Sequence, residues 1–176
     1  MRNIITIILI ILSVSLFSQT KLDTLVFNNI NKYRDSLSLP KLTWDTISFK
    51  AAKHHSNYIL QKNTFNKDHL VRVLGHAEDT LKSPSNRYDY YGGNNWTYVG
   101  ENLAIVNPVY KNDDNLKLQK IADLLLKEWI KSTSHNKVLL SKGNFGGVSC
   151  LVRTNNSGFV DRKLYEVFST FISVKK

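Results

Sequence analysis

The chain has 176 residues, of which 42% are hydrophobic and 11% are aromatic. This composition is typical of one globular domain with a sizeable core, and it excludes a disordered or fibrous chain. The formal net charge of +10 comes from 24 basic and 14 acidic residues. No signature of a nucleic-acid-binding module accompanies it, so no nucleic-acid partner is expected. The charge fits attraction to an anionic envelope polymer, or simply a solvated basic surface.

The N-terminus is typical of a secretory signal peptide. Arg2 supplies a positive charge, the run from Ile4 to Phe17 is apolar, and small residues precede a plausible cleavage site before Gln19. The run is shorter than the roughly 20 residues of a membrane span, although an uncleaved anchor is the alternative. We therefore expect residues 1–18 to be a signal peptide and residues 19–176 to form a single domain without a membrane span. The mature protein is expected to be secreted, outside the cell or in its envelope.

Cys150 is the only cysteine of the chain, which rules out an internal disulfide. It lies in an apolar run with β-branched residues, so a buried and unreactive thiol is expected. A reactive thiol would need an electropositive, partly open site, and no neighbouring residue indicates one.

Two helices are predicted in the first third of the chain from apolar residues at helical spacing. The first begins with a capping box formed by Thr20 and Asp23 and ends by Pro40, and the second is capped by Asp45. Residues 63–99 are polar and irregular, with several glycine and proline breakers. The first helix carries one apolar stripe, formed by Leu22, Val26, Ile30, Tyr33 and Leu37.

A third helix is predicted to begin at a cap on Asp114 and to stop near Ser132, so that His135 follows just beyond its end. Trp129 belongs to its buried stripe, and we expect this side chain to anchor the helix in the core. The helix is apolar on more than one side, which indicates that it lies deep in the domain.

The last part of the chain reads as two strands. Strand-like runs at residues 145–153 and 163–174 are separated by a turn at residues 155–158, a pattern typical of a hairpin. Three helices and a late hairpin predict an α+β fold, a three-layer α/β/α sandwich with a mainly antiparallel central sheet.

A polar pair, Glu101 and Asn102, interrupts an apolar run after Gly100. Burying an unpaired carboxylate there would cost several kcal/mol or force it to protonate. Glu101 therefore lies on the open face of a strand or at a buried site with partners. His76 and His135 are the best candidate partners, and we expect the three side chains to meet in one cleft. The Asn102 amide is expected to bind backbone groups that a turn at Gly100 leaves unpaired.

Two further histidines, His54 and His55, lie among polar residues of the second helix, and surface or rim packing is expected for both. The irregular segment contains an aromatic cluster that either lines a groove or covers the sheet. Its members are Tyr88, Tyr90, Tyr91, Trp96 and Tyr98.

Six short motifs in this order resemble the CAP superfamily, or SCP domain proteins, which includes cysteine-rich secretory and plant pathogenesis-related proteins. The chain is most similar to the disulfide-free bacterial branch. The motifs are Asn31 to Arg34, Leu39 to Asp45, Ala51-Ala52 with His55-Ser56, His76 to Arg87 with Pro84 between, Gly100 to Ala104, and Trp129-x-x-Ser132-x-x-His135.

The resemblance implies a cleft lined by a histidine, two glutamates and a second histidine. By motif, His76, Glu101 and His135 take three of these places. Ser132 stands where the eukaryotic branch has the second glutamate, so the resemblance implies a His-Glu-His set with Ser132 beside it. Two neutral imidazoles and one carboxylate suit Zn²⁺ or another divalent metal. A hydrogen-bonded cluster that stiffens the cleft without metal is the alternative.

Two functions are compatible with these observations. The first is a secreted CAP domain that binds a lipid, a peptide, another envelope component or a divalent metal, without established catalysis. The second is a hydrolase acting outside the cytoplasm, either metal-assisted or using Glu101 as general base with a histidine partner. No motif of a more specific enzyme class occurs in the sequence.

Overall fold

The computed structural model describes residues 19–63, 75–111, 117–155 and 162–176. Its helices are α1 (Lys21–Ser36), α2 (Thr46–Lys62), α3 (Pro84–Tyr90), α4 (Leu118–Lys131) and α5 (Thr133–Leu139), and its strands are β1 (Thr43–Trp44), β2 (Tyr98–Val106), β3 (Val109–Lys111), β4 (Phe145–Asn155) and β5 (Arg162–Lys175). The proposed signal peptide lies outside the described residues.

The starts of the first two helices are confirmed. The backbone N–H of Asp23 donates to the Thr20 hydroxyl at 3.1 Å, while the Thr20 N–H donates to the Asp23 carboxylate at 2.7 Å. Asp45 accepts from the Ser48 N–H at 2.8 Å. These side chains satisfy N–H groups that have no partner within the helix. Helix α1 ends at Ser36, so Leu37 leaves the predicted apolar stripe and is 47% exposed.

The predicted start of the third helix is wrong. Helix α4 begins at Leu118, with Lys117 at the N-cap and no side-chain cap, whereas Asp114 lies outside the described residues. The predicted end is close, since α4 stops at Lys131 and Ser132 follows. His135 lies within the short helix α5 that begins after Ser132. A second short helix, α3, occupies part of the segment predicted to be irregular.

The central sheet has the order β1-β4-β5-β2, with β3 also pairing with β5. Antiparallel pairing joins β5 to β4, β2 and β3, which confirms the mainly antiparallel sheet. The sheet is mixed, because β1 pairs with β4 in parallel. The two predicted strands of the hairpin are confirmed, and residues 156–158 of its predicted turn lie outside the described residues.

Helices cover both faces of the sheet. Alternate residues of a strand point to opposite faces, and Phe168 and Ile172 of β5 pack in clusters with α2, whereas Phe171 packs with α1 and α4. Helix α2 approaches β4 closely at Gly147, where a Cβ atom would collide with the backbone of Phe49. Trp129 is fully buried on the α1–α4 side.

Trp129 also connects α4 to the strand that carries the candidate site. Its indole N–H donates to the carbonyl of Leu103 in β2 at 3.1 Å, and its ring lies 6.1 Å from that of Phe171. A buried indole N–H needs such a partner. On the same side, Cys150 is buried as expected, and burial raises the pKa of its thiol well above the usual value.

Within the described ranges, every helix is too short or too polar to cross a membrane.

Candidate binding site at the edge of the sheet

Glu101 lies on β2, at one end of the strand order, and its side chain points to the α2 side of the sheet. The residue is 5% exposed, and both carboxylate oxygens have partners. Oε1 lies 2.9 Å from Nδ1 of His76, and Oε2 accepts from Nη2 of Arg87 at 2.5 Å. A buried carboxylate must be paired in this way to stay ionised.

Arg87 lies on α3, is fully buried and bridges two carboxylates. Besides its bond to Glu101, its Nη1 lies 3.3 Å from Oε1 of Glu78. Nη1 also donates to the carbonyls of His76 at 3.2 Å and Leu81 at 2.9 Å. The guanidinium therefore holds the segment that carries His76 against the sheet, and charge-assisted hydrogen bonds of this kind are among the strongest in proteins.

Glu78 connects the site to helix α2. Its carboxylate lies 2.5 Å from Nδ1 of His55 and 3.0 Å from Nε2 of His54. Nε2 of His55 faces the carbonyl of Gly75 at 2.9 Å. Both ring nitrogens of His55 therefore face oxygen acceptors, the Glu78 carboxylate on one side and the Gly75 carbonyl on the other.

The structure corrects the expectation for His55, which is completely buried, with 0% exposure. Helical spacing could have shown this, because His55 is three and four residues from buried Ala52, Ala51 and Ile59. Glu78 was missed altogether. It lies in a segment without periodicity, so no sequence signal indicates which way its side chain points.

Asn102, the neighbour of Glu101 on β2, points to the opposite face of the sheet. Its Nδ2 donates to the carbonyl of His135 at 2.9 Å. Gly100 does not form a turn but pairs with Ser173 within the sheet. The Asn102 amide thus binds a backbone group as expected, but the group belongs to α5, and the contact fixes the helix that carries His135.

The His135 ring is half-buried beside the edge of the sheet. Burial lowers the pKa of His135, and the charge of His76 lowers it further. The two imidazoles are therefore close enough to interact electrostatically, although they belong to segments on opposite sides of β2. Ser132 acts as the N-cap of α5, where its hydroxyl accepts from the His135 N–H at 3.5 Å and lies 3.1 Å from that of Ser134.

A metal ion would need donors that are free to bind it. Over the ranges that the structure describes, no group of three or more histidine, cysteine, aspartate or glutamate side chains is arranged to hold one. Both oxygens of Glu101 face His76 and Arg87. In this arrangement Glu101 is a hydrogen-bond partner of His76 and not a free ligand.

The chain matches the model of the cysteine-rich secretory protein family, CAP, over residues 27–169. It belongs to that family. No curated protein matches the chain.

Three solved structures share the fold at low sequence identity. An extracellular protein containing an SCP domain from Bacillus anthracis is 22% identical with a TM-score of 0.59, and the match covers 88% of this chain and 40% of that one. An outer surface protein of Borrelia burgdorferi is 19% identical with a TM-score of 0.60, covering 90% and 97%. A cysteine-rich secretory protein of Staphylococcus aureus is 15% identical with a TM-score of 0.52, covering 88% and 38%. The chain thus spans well under half the length of two of these proteins.

Proposed function

We propose that this CAP domain is a secreted binding domain without catalytic activity, and that its ligand occupies the cleft between His76 and His135. The observation that carries the proposal is the state of Glu101. Its side chain is 1% exposed, and both of its oxygens are engaged by His76 and Arg87. A carboxylate that is buried and held in this way orients its neighbours and is itself shielded from a ligand.

His76 is the group that Glu101 orients. Its side chain is 52% exposed, and Nδ1 faces the carboxylate, so Nδ1 carries the proton and a neutral ring offers the lone pair of Nε2 to the cleft. His135 has a lowered pKa, which favours the neutral form of its own ring at pH 7. The cleft therefore suits a ligand that donates hydrogen bonds through hydroxyl or amide groups, as a peptide or an envelope component does.

A hydrolase is the second candidate, favoured by the contact between His76 and Glu101. A general base must reach the proton that it abstracts. Glu101 is too buried and too fully paired for that role, so a hydrolase would have to use His76 as base with Glu101 as its orienting partner. Zn²⁺ binding stays a prediction, weakened by the engagement of Glu101.

Rates of p-nitrophenyl acetate hydrolysis separate the two candidates. We expect the mature protein and its His76→Ala variant to hydrolyse this ester at the same low rate. A wild-type rate more than about tenfold higher than that of the variant would support the hydrolase.

Calorimetric titration with Zn²⁺ at pH 7.5 and 5.5 tests the metal prediction. If an ion binds, affinity should fall at the lower pH, since ligating imidazoles must be neutral.

Binding is tested by following the histidine ring signals in NMR spectra. The probes are N-acetylglucosamine, the dipeptide Ala-Glu and lysophosphatidylglycerol micelles, which represent the three ligand classes. We expect the His76 and His135 signals to move together with one of them. Matched Glu101→Gln protein should respond more weakly, because an amide does not fix the His76 ring as a carboxylate does. If neither ring responds to any probe, the cleft is not a binding site for these classes.

Export is part of the proposal. The sequence of residues 1–18 supports it, and so does the fold that the chain shares with an extracellular protein and an outer surface protein. N-terminal sequencing of protein from the extracellular or envelope fraction should begin near Gln19. Recovery of the protein from the cytoplasm with Met1 intact would contradict export.

A further inference from the structure

A second concave site lies on the outer face of α2. We call it the α2 groove; its volume is about 240 Å³, and it is lined by Lys50, Lys53, His54, Asn57, Tyr58 and Gln61, with Tyr91 opposite. The six helical residues recur at intervals of three and one along α2, so they form one stripe on a single face. This stripe presents cations, amides and an aromatic ring side by side.

The polar side of the groove is anchored to a buried carboxylate. Tyr91 Oη lies 3.0 Å from Nδ1 of His54, and Nε2 of the same ring lies 3.0 Å from Glu78. Because the carboxylate only accepts, Nε2 carries the proton, and Nδ1 of a neutral ring then accepts from the Tyr91 hydroxyl. The Tyr91 oxygen keeps its lone pairs for donors on a ligand. Burial raises the pKa of Tyr91, which keeps the phenol neutral.

Aromatic rings supply flat apolar surfaces in the groove. Tyr58 and Tyr91 line it, and Tyr90, 67% exposed, packs edge-on against Tyr91 with ring centroids 5.1 Å apart. His54 lies against both Tyr90 and Tyr91. Ligand sites typically combine aromatic walls with a few placed polar groups that fix orientation. The arrangement suits a ring with hydroxyl groups around it.

The electrostatics of the groove favour an anion. Lys50 and Lys53 line it, and the α2 sequence contains no aspartate or glutamate. Lys62, further along α2, does not line the groove and is paired with Asp79 at 3.2 Å. Clustered charges of one sign in a concave site attract ligands of the opposite sign. The Glu78 charge is buried and paired on the inner side of the helix.

We propose that the α2 groove binds an acidic sugar, as found in a carboxylated, phosphorylated or sulfated polysaccharide. The sugar ring packs on Tyr58 and Tyr91, and its acidic group pairs with Lys50 and Lys53. Its hydroxyl groups bond to the amides of Asn57 and Gln61 and to the Tyr91 oxygen. The lining of the groove does not include His76, and the proposal does not depend on the function proposed for the His76 cleft.

Calorimetric titration of the mature protein with tetragalacturonate at low salt tests the proposal. We expect binding that weakens about tenfold in Lys50→Gln/Lys53→Gln protein, in line with the loss of two charge contacts. Tyr58→Leu should also weaken binding while leaving its salt dependence unchanged. Lys120→Gln/Lys137→Gln removes the same net charge from helices on the other side of the sheet and should bind like wild type. His76→Ala should bind like wild type as well.

Several results would overturn the proposal. Equal losses in the two double variants would mean that only the overall charge attracts the sugar. Equal affinity for neutral maltotetraose would show that the acidic group is not recognised. An affinity for tetraglutamate equal to that for tetragalacturonate would show that the groove recognises negative charge and not a sugar. Binding to phosphatidylglycerol vesicles without binding to tetragalacturonate would assign the groove to a lipid surface instead.

Discussion

Two arginines are buried to the same degree in this protein, yet they are surrounded by different chemistry. Arg34 on α1 is 1% exposed and Arg87 on α3 is 0% exposed. Within the described part of the chain, Arg34 donates only to backbone carbonyls, those of Pro40, Leu139, Ser141 and Gly143. Arg87 also binds two carbonyls, but its main partners are the carboxylates of Glu78 and Glu101.

The different acceptors indicate different roles: Arg34 stabilises the fold, whereas Arg87 belongs to the candidate site. Arg34 ties the end of α1 to the segment after α5, and its acceptors are neutral, so burial lowers the pKa of its guanidinium. Arg87 neutralises negative charge that the fold would not otherwise tolerate. The negative charge is that of Glu101 and Glu78, and these two carboxylates also contact His76, His55 and His54. A buried cation paired with carboxylates thus lies in the candidate site, whereas Arg34 lies outside it.

Replacing Arg87 should have the largest effect. Arg87→Met leaves two buried carboxylates close together without their cation, and breaking such a pair costs about 3–5 kcal/mol of unfolding free energy. The loss should be smaller at pH 5 than at pH 7, since the abandoned carboxylates can then protonate. Urea unfolding at both pH values measures this. A loss that is equal at the two pH values would contradict the charge argument.

Arg34→Met should cost less. The variant leaves backbone carbonyls without their donor, at about 2–3 kcal/mol. No carboxylate is abandoned, so the loss should be the same at pH 7 and pH 5. This variant is the matched control for Arg87→Met, because the residue type, the burial and the substitution are identical. A strong pH dependence at Arg34 would show that the two arginines do not differ as proposed.

The sequence predicted elements that are defined by their own residues better than contacts between elements. Capping residues and apolar stripes predicted α1 and α2, and alternation predicted β4 and β5, because these signals act within one element. Strand β1 has only two residues and no period, and its pairing with Phe145 and Gly146 defines it. The sequence also indicated that Glu101 needs partners if it is buried, because the residues on both sides of it are apolar.

The identity of those partners was harder to predict. His76 was expected beside Glu101, but Arg87 entered only through its family motif and Glu78 not at all. Both come from the segment at residues 63–99, where no periodicity fixes side-chain directions. The expectation for His55 was wrong because nearby residues, Lys53 and Ser56, are polar, although its helical spacing to Ala51 places it on the inner face of α2.

Asn102 tests the other side of β2. Asn102→Ala removes the donor to the His135 carbonyl and should cost about 1–2 kcal/mol of unfolding free energy. The lower end of that range is favoured because Oδ1 of Asn102 is buried without a partner among the described residues, so its removal relieves a penalty. Asn102→Asp is the sharper variant, since it removes the donor and buries a charge. An Asp variant as stable as the Ala variant would contradict this account.

The smallest effect concerns the pH dependence of His135. Its pKa in the folded protein is lowered, first by burial and then by the charge of His76, whereas the unfolded chain has the usual value of about 6.5. Between these two values the unfolded state binds more protons, so stability falls as the pH drops from about 6.5 towards the folded pKa and then levels off. His135→Gln should remove this part of the acid sensitivity. In NMR titrations, His76→Gln should raise the pKa of His135 only part of the way back, because burial is the larger cause. A pKa of His135 that returns fully to the usual value in that variant would show that the charge of His76, and not burial, lowers the pKa of His135.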